Sequence, residues 1–218
     1  MLAVRLWTMT DQKLSPGDEF DKALRGRAAR YGVTLGEEDR ARLRDYFEVV
    51  TRWNARLHLV APCAPAEFAA RHVLESLLAL PFLTPGASAV DVGSGAGLPI
   101  IPCLIVRPDL RATLVESSRK KSIFLREALR GVGRHEAAAV VARRFEHAEP
   151  PEADFLTCRA IERFTEILPA LIRWSAGVPT LLLFGGPALS DALGKLSLAS
   201  ETVRAPESER RLLHVVRR

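Results

Sequence analysis

The stretch Ala89-Val90-Asp91-Val92-Gly93-Ser94-Gly95-Ala96-Gly97-Leu98-Pro99 decides the fold. Apolar residues run up to Asp91, three glycines then alternate with small residues, and Pro99 opens an apolar segment compatible with a helix. The pattern predicts a buried strand, a tight turn and a helix start, with Pro99 at the first helical position, where its missing N–H is no loss. Glycines in such a turn permit positive φ and let a ligand lie against bare backbone. The helix end adds unpaired N–H groups and a positive dipole. A nucleotide-like ligand is expected here.

The spacing selects the class. Gly93, Gly95 and Gly97 give G-x-G-x-G, with Leu98 at the third glycine position of the dinucleotide fingerprint, and Asp91 stands two residues before the first glycine. This D-x-G-x-G-x-G pattern resembles motif I of S-adenosylmethionine-dependent methyltransferases with a Rossmann-like fold. Thr113-Leu114-Val115-Glu116 reads as the next strand, ending in a carboxylate. A strand-end acid about 20 residues past the glycine turn is where α/β nucleotide sites hold ribose hydroxyls. A nicotinamide dehydrogenase shares such a sheet, but the residue at 98 counts against it.

At 218 residues the chain has room for one α/β domain and a smaller appendage. Its formal charge of +5 comes mostly from Arg, a side chain suited to phosphate and base contacts. A polyanionic substrate fits that excess, although charge of this size also occurs in proteins that never touch nucleic acid. Cys63, Cys103 and Cys158 form no C-x-x-C pair, and the histidines show no ligand spacing, so neither a disulfide framework nor a metal is expected. Neither an apolar run of membrane-spanning length nor a signal peptide is present, which makes the cytoplasm the expected location.

Residues 1–17 read as a flexible tail ending in Ser15-Pro16-Gly17, with Met9 as an alternative start. Residues 18–84 read as an N-terminal helical cap. Helices are expected over 18–31, from after Thr34 until Pro62 and Pro65 stop it, and over 66–80; the second carries Leu43, Tyr46, Phe47, Val50, Trp53 and Leu57 on one stripe. Residues 85–218 read as the S-adenosylmethionine-binding methyltransferase domain that the glycine motif resembles, with strands near 88–92, 111–116, 138–142, 153–158 and 178–184 and helices near 99–106, 119–130 and 162–174. That alternation predicts a mostly parallel sheet with helices on both faces. A short helix and strands near 198–204 and 210–217 then add an antiparallel hairpin, for seven strands in all.

With these residues in view the chain resembles the ribosomal RNA small-subunit methyltransferase G family, also called glucose-inhibited division protein B. The resemblance covers roughly residues 40–187. It rests on Trp53-Asn54, Arg71-His72 with Glu75-Ser76-Leu77, the block from Asp91 to Pro102, Arg107-Pro108, Leu114 to Ser117, Lys120-Lys121, Phe124-Leu125, Arg143 to Glu146 and Cys158-Arg159-Ala160. Members methylate N7 of a guanine in a decoding-centre loop of 16S rRNA, with S-adenosylmethionine (SAM) as donor.

The resemblance implies that Asp91, Gly93, Gly95, Gly97 and Leu98 shape the pocket for the methionine part of SAM and that Glu116 holds the ribose. Arg144 and Phe145 would contact the adenine through backbone groups, and Arg159 would face the cofactor and the transfer site. His72, Lys120 and Lys121 would face RNA. N7 carries no proton, so no general acid or base is assigned. The expected partner is 16S rRNA, the 30S subunit or an assembly intermediate, approached by a monomer.

Four positions depart from the family pattern. Ile100 stands for a usual Gly, Glu75 for a usual Asp, His58-Leu59-Val60 for Asn-Leu-Thr, and Phe184 for a Lys. Phe184 is expected either to stack on an RNA base or to point into the core. The departures keep open a diverged SAM-binding protein with altered RNA activity. Simpler readings also stand for single residues: His72 and Trp53 as packing groups, Lys120 and Lys121 as a solvated pair, Arg159 paired with Asp154 or Glu162.

Overall fold

The computed structural model describes residues 14–150, 152–159 and 163–218, so most of the expected tail, with Met9, lies outside the described residues, as does Glu162. The first helix, α1 (Pro16–Arg27), starts two residues before the expected boundary. Ser15 is its cap, accepting from the Asp18 N–H at 3.2 Å, and Pro16 takes the first helical position. Helix α2 (Glu37–Leu57) follows, with the Asp39 carboxylate accepting from the Gly36 N–H at its start. Helix α3 (Pro65–Phe68) continues into a π-helical segment, Ala69–Leu74, and a 3-10 segment, Leu77–Phe82.

The strands are β1 (Ser88–Val92), β2 (Arg111–Val115), β3 (Ala138–Val141), β4 (Phe155–Arg159), β5 (Thr180–Gly185), β6 (Glu201–Arg204) and β7 (Leu212–Arg217). They form one sheet in the order β3-β2-β1-β4-β5-β7-β6. The first five are parallel, and β7 runs antiparallel to both β5 and β6. Helices α4 (Ile100–Val106), α5 (Arg119–Gly131), α6 (Phe164–Trp174) and α7 (Pro187–Lys195) complete the alternation. The order reverses at β1, so a crevice opens beyond the carboxyl ends of β1 and its neighbours, where such sheets bind ligands.

Period-2 alternation splits the sheet residues between two apolar bodies. Val90, Val92, Leu156, Leu181 and Leu183 pack with α6 and α7. Ala89, Leu114, Leu182, Phe184 and Leu213 face the other way, into a core that also holds Phe20, Tyr46, Phe68 and Leu77. The helices before β1 and the sheet therefore share one core.

Pro99 is the cap of α4 rather than its first residue, and the Leu98–Pro99 peptide is cis. Gly93, Gly95 and Gly97 all have positive φ, at 69°, 50° and 86°. At Gly97 a second constraint applies: a Cβ would lie 2.8 Å from Ile101 Cγ1 and closer still to Cδ1, so this glycine serves the packing of α4 as well as the turn. Gly97→Ala should lower stability by about 2–4 kcal/mol through backbone strain and overpacking. Because the clash needs both side chains, Gly97→Ala with Ile101→Ala should lose less than the sum of the single losses in urea unfolding. Additive losses would leave the strain in the backbone alone.

Candidate active site

The crevice holds a cavity of about 710 Å³ at the carboxyl ends of β1, β2 and β4. Its floor is the turn from Gly93 to Ala96 with Leu98, and its far wall is Arg143 to Glu146. Leu59, Val60, Arg71 and His72 from the helical cap form the roof. Glu116, just past β2 and only 6% exposed, accepts from the Gly95 N–H at 2.9 Å, the Ser118 N–H at 2.7 Å and, at 3.5 Å, the Ser117 hydroxyl. A carboxylate has about four acceptor positions. Glu116 thus fixes the glycine turn and keeps acceptor capacity on the cavity it lines.

The cap is tied to this site at two points. Tyr46, fully buried on α2, donates to the Ala96 carbonyl at 2.7 Å, inside the glycine turn. Arg159, at the end of β4, reaches into the π-helical segment, donating to the Arg71 carbonyl at 2.6 Å, the His72 carbonyl at 3.5 Å and the Ser76 hydroxyl at 3.3 Å. It also pairs with Glu75 at 3.2 Å, and Arg211 approaches the same carboxylate from the other side at 2.7 Å. Burial raises the Glu75 pKa from its ordinary value, opposed chiefly by the two cations Arg159 and Arg211.

The sequence model of rRNA small subunit methyltransferase G matches residues 39–193. The chain belongs to that family. As a member it is a SAM-dependent methyltransferase. It is 40% identical over 161 residues to the ribosomal RNA small subunit methyltransferase G of Xanthomonas axonopodis pv. citri (strain 306), covering 73% of each chain. It is 35% identical over 191 residues to that of Sorangium cellulosum (strain So ce56), covering 84% of this chain and 78% of the relative. Among solved structures, ribosomal protein L11 methylase from Lactobacillus delbrueckii subsp. bulgaricus superposes with a TM-score of 0.54 at 16% identity, covering 68% of this chain and 79% of that one. That likeness concerns the fold.

Against the methyltransferase G pattern, Gly93, Gly95, Leu98, Glu116, Arg144, Phe145, Arg159, His72 and Lys121 all line the cavity. Asp91 and Gly97 do not; they lie beneath it. The Phe145 ring turns into the core, edge-on to Trp174 at 5.6 Å, which leaves its backbone toward the opening. Lys120 is exposed outside the cavity, and neither it nor Lys121, Arg143 or Arg144 forms an ion pair among the described residues.

The structure chooses between the alternatives for several residues. Phe184 is 6% exposed in the core, and the Arg159 guanidinium covers its ring at 5.7 Å, so it offers no open face for stacking on RNA. Arg159 pairs with Glu75, not Asp154, which instead accepts from the Ser88 N–H and hydroxyl at the opposite end of the strands. His72 packs on Phe68 at 5.0 Å; burial and the neighbouring Arg159 and Arg71 lower its pKa to about 4, so it meets a ligand as a neutral imidazole. Ile100 is fully buried in the shared core. His58 occupies a left-handed position at the end of α2 (φ 47°), a conformation that Asn adopts readily. Trp53 packs α2 on α5, edge-on to Phe124, with its N–H on Glu127 at 3.1 Å. Glu75 as the partner shared by Arg159 and Arg211 has no signal in the sequence.

Asp91 is fully buried on the cap-facing side of β1, where it accepts from the Thr157 hydroxyl at 2.6 Å across the β1–β4 register. Its other carboxylate oxygen has no partner. Burial raises its pKa to about 7. Since the folded value lies above the unfolded one, Asp91 keeps its proton in the native state while the unfolded chain ionises. Wild-type stability should therefore fall relative to Asp91→Asn by about 1.4 kcal/mol per pH unit between pH ~4 and ~7, with no further change above. Urea unfolding of both proteins from pH 5 to 8 reads this difference; a constant gap would mean an ionised Asp91.

Proposed function

We propose that this chain transfers the methyl group of SAM to N7 of a guanine in the decoding-centre loop of 16S rRNA, acting as a cytoplasmic monomer on the RNA or on a 30S particle. The observation that carries the reading is Glu116, a buried carboxylate held beside the glycine turn with acceptor capacity left on the cavity. The residues present fit SAM. Glu116 would receive the ribose hydroxyls, backbone groups of Arg144 and Phe145 would meet the adenine, and Gly93, Gly95 and Leu98, which line the cavity, would enclose the methionine part. Asp91 and Gly97 shape that space from below.

When bound, SAM supplies an electrophilic methyl group on a sulfonium. N7 of guanine presents an in-plane lone pair and no proton, so the protein need not remove one. Its task is to hold N7 in line with the methyl carbon and to keep water out. The preorganised dipoles of the glycine turn would act, without moving, on the positive charge that the purine gains from the sulfonium. The Glu75 carboxylate balances the Arg159 cation at the cavity wall. The unpaired Lys120, Lys121, Arg143 and Arg144 supply a rim for RNA phosphates.

Incubation with labelled SAM and 16S rRNA or 30S subunits, followed by mapping of the modified base, should give one 7-methylguanine in the decoding region. SAM binding without transfer to either substrate would make the chain a binding module instead. Glu116→Ala should weaken SAM binding at least tenfold, since each lost hydrogen bond to a charged group is worth about 1.5–3 kcal/mol; unchanged affinity in calorimetry would release Glu116 from that role. Lys120→Ala should flatten the slope of log RNA affinity against log salt by about 0.7–0.9, and an unaltered slope would leave Lys120 as a solvated surface charge.

A further inference from the structure

The cavity floor is made of backbone that its glycines leave free to turn. Ala96 stands between Gly95 and Gly97, whose φ angles are 50° and 86°. With glycine on its far side, the peptide unit joining Ala96 to Gly97 rotates at low cost unless both its polar ends are held. Its N–H donates to the Ser94 carbonyl at 2.5 Å, inside the turn. Its oxygen, the Ala96 carbonyl, accepts from the Tyr46 hydroxyl at 2.7 Å. The other described bonds of the turn stay within the sheet domain: Gly93 and Ser94 donate to the Val115 carbonyl, and Gly95 donates to Glu116. Among the described residues, the turn is thus fixed from the cap at Ala96 alone.

The donor is well placed for such a task. Tyr46 is fully buried, its ring tilted against Phe68 at 6.4 Å, where a Phe would serve packing equally. A phenol hydroxyl in such a core costs desolvation unless it is bonded. Burial raises its pKa far above the ordinary value, so the hydroxyl keeps its proton and remains a donor. The helix that carries it is itself anchored, since Trp53 packs α2 on Phe124 of α5 and bonds Glu127. Resting on the reading of the large cavity given under Proposed function, we infer that Tyr46 is a positioning residue for the cofactor. From the cap, its hydroxyl sets the Ala96–Gly97 peptide unit, and with it the floor that Gly95, Ala96 and Leu98 present to the methionine part of SAM. Tyr46 does not line the cavity; it acts through the turn. Without the hydroxyl a buried carbonyl loses its partner, and rotation of the peptide unit relieves the cost. SAM affinity then falls in proportion to the molecules still holding the binding geometry. The tie works in both directions, so SAM that steadies the turn also steadies α2.

The test measures SAM binding by calorimetry, at a temperature where every variant is folded, and amide hydrogen exchange with and without SAM. Tyr46→Phe, which removes the hydroxyl and keeps the ring, should weaken SAM about fivefold, the scale of one buried hydrogen bond. Phe20→Leu, which loosens the same cap core without touching the turn, should leave SAM affinity within about twofold of wild type, as a packing role alone would predict for Tyr46→Phe too. In wild type, SAM should slow exchange over residues 46–50 of α2 as well as in the turn; in Tyr46→Phe the slowing should stay in the turn and be lost from α2. Unchanged SAM affinity in Tyr46→Phe, an equal loss in Phe20→Leu, or no slowing on α2 in wild type overturns the positioning role. If Glu116→Ala still weakens SAM, the parent reading then stands. Unchanged affinity in both Tyr46→Phe and Glu116→Ala overturns the two together.

Discussion

The apolar core that runs from the helical cap into the sheet is the constraint on which the rest depends. Phe20 stacks on Phe47, and Phe68 tilts against both, yet this aromatic group continues without a break into Leu114, Leu182 and Val215 on the sheet. The cap's helices therefore bury their faces against the strands, and their position over the crevice follows from ordinary hydrophobic packing. The same packing lowers the π-helical segment onto the end of β4, which is why Arg71 and His72 roof a cavity whose floor belongs to the glycine turn.

Charge is confined to the places where that core meets the crevice. A buried ion pair costs desolvation that the mutual attraction only partly offsets, and it is weak evidence of stabilisation in itself. Around Glu75 the arrangement of two guanidinium groups on one carboxylate reads better as placement than as added stability: three segments far apart in sequence are held to one geometry. Asp91 behaves differently. Its neighbour across the strand, Thr157, supplies a hydroxyl and no charge, so burial favours the neutral acid at the centre of the sheet.

Much of this was legible in the residues. The glycine turn and the strand-end acid announced themselves by local spacing, and Glu116 does meet the turn through Gly95. Strand positions agree to within a few residues because β1, β4 and β5 are apolar runs bounded by turn residues. The fate of Phe184 was harder: β5 is buried on both faces, so its sequence lacks the alternation that would have shown which way the ring points. Pro99 fell one position early because a short apolar helix gives no periodic cue to its first residue. The grouping of Glu75, Arg159 and Arg211 had no local signal. These residues come from the cap, from β4 and from the approach to β7, and only the shared core brings them together.

The position of β7 bears on how the chain assembles. β6 joins the sheet solely through β7, which follows it in the chain and lies between it and β5. Until residues 212–217 have been made, β6 has no strand to pair with and the outer edge of β5 stands open, bearing the same unpaired N–H and C=O groups that template association between chains. The five parallel strands can form earlier during synthesis, but closing the sheet is a late, non-local event. A nascent chain paused before β7 would therefore present a ready edge to its neighbours on the same messenger.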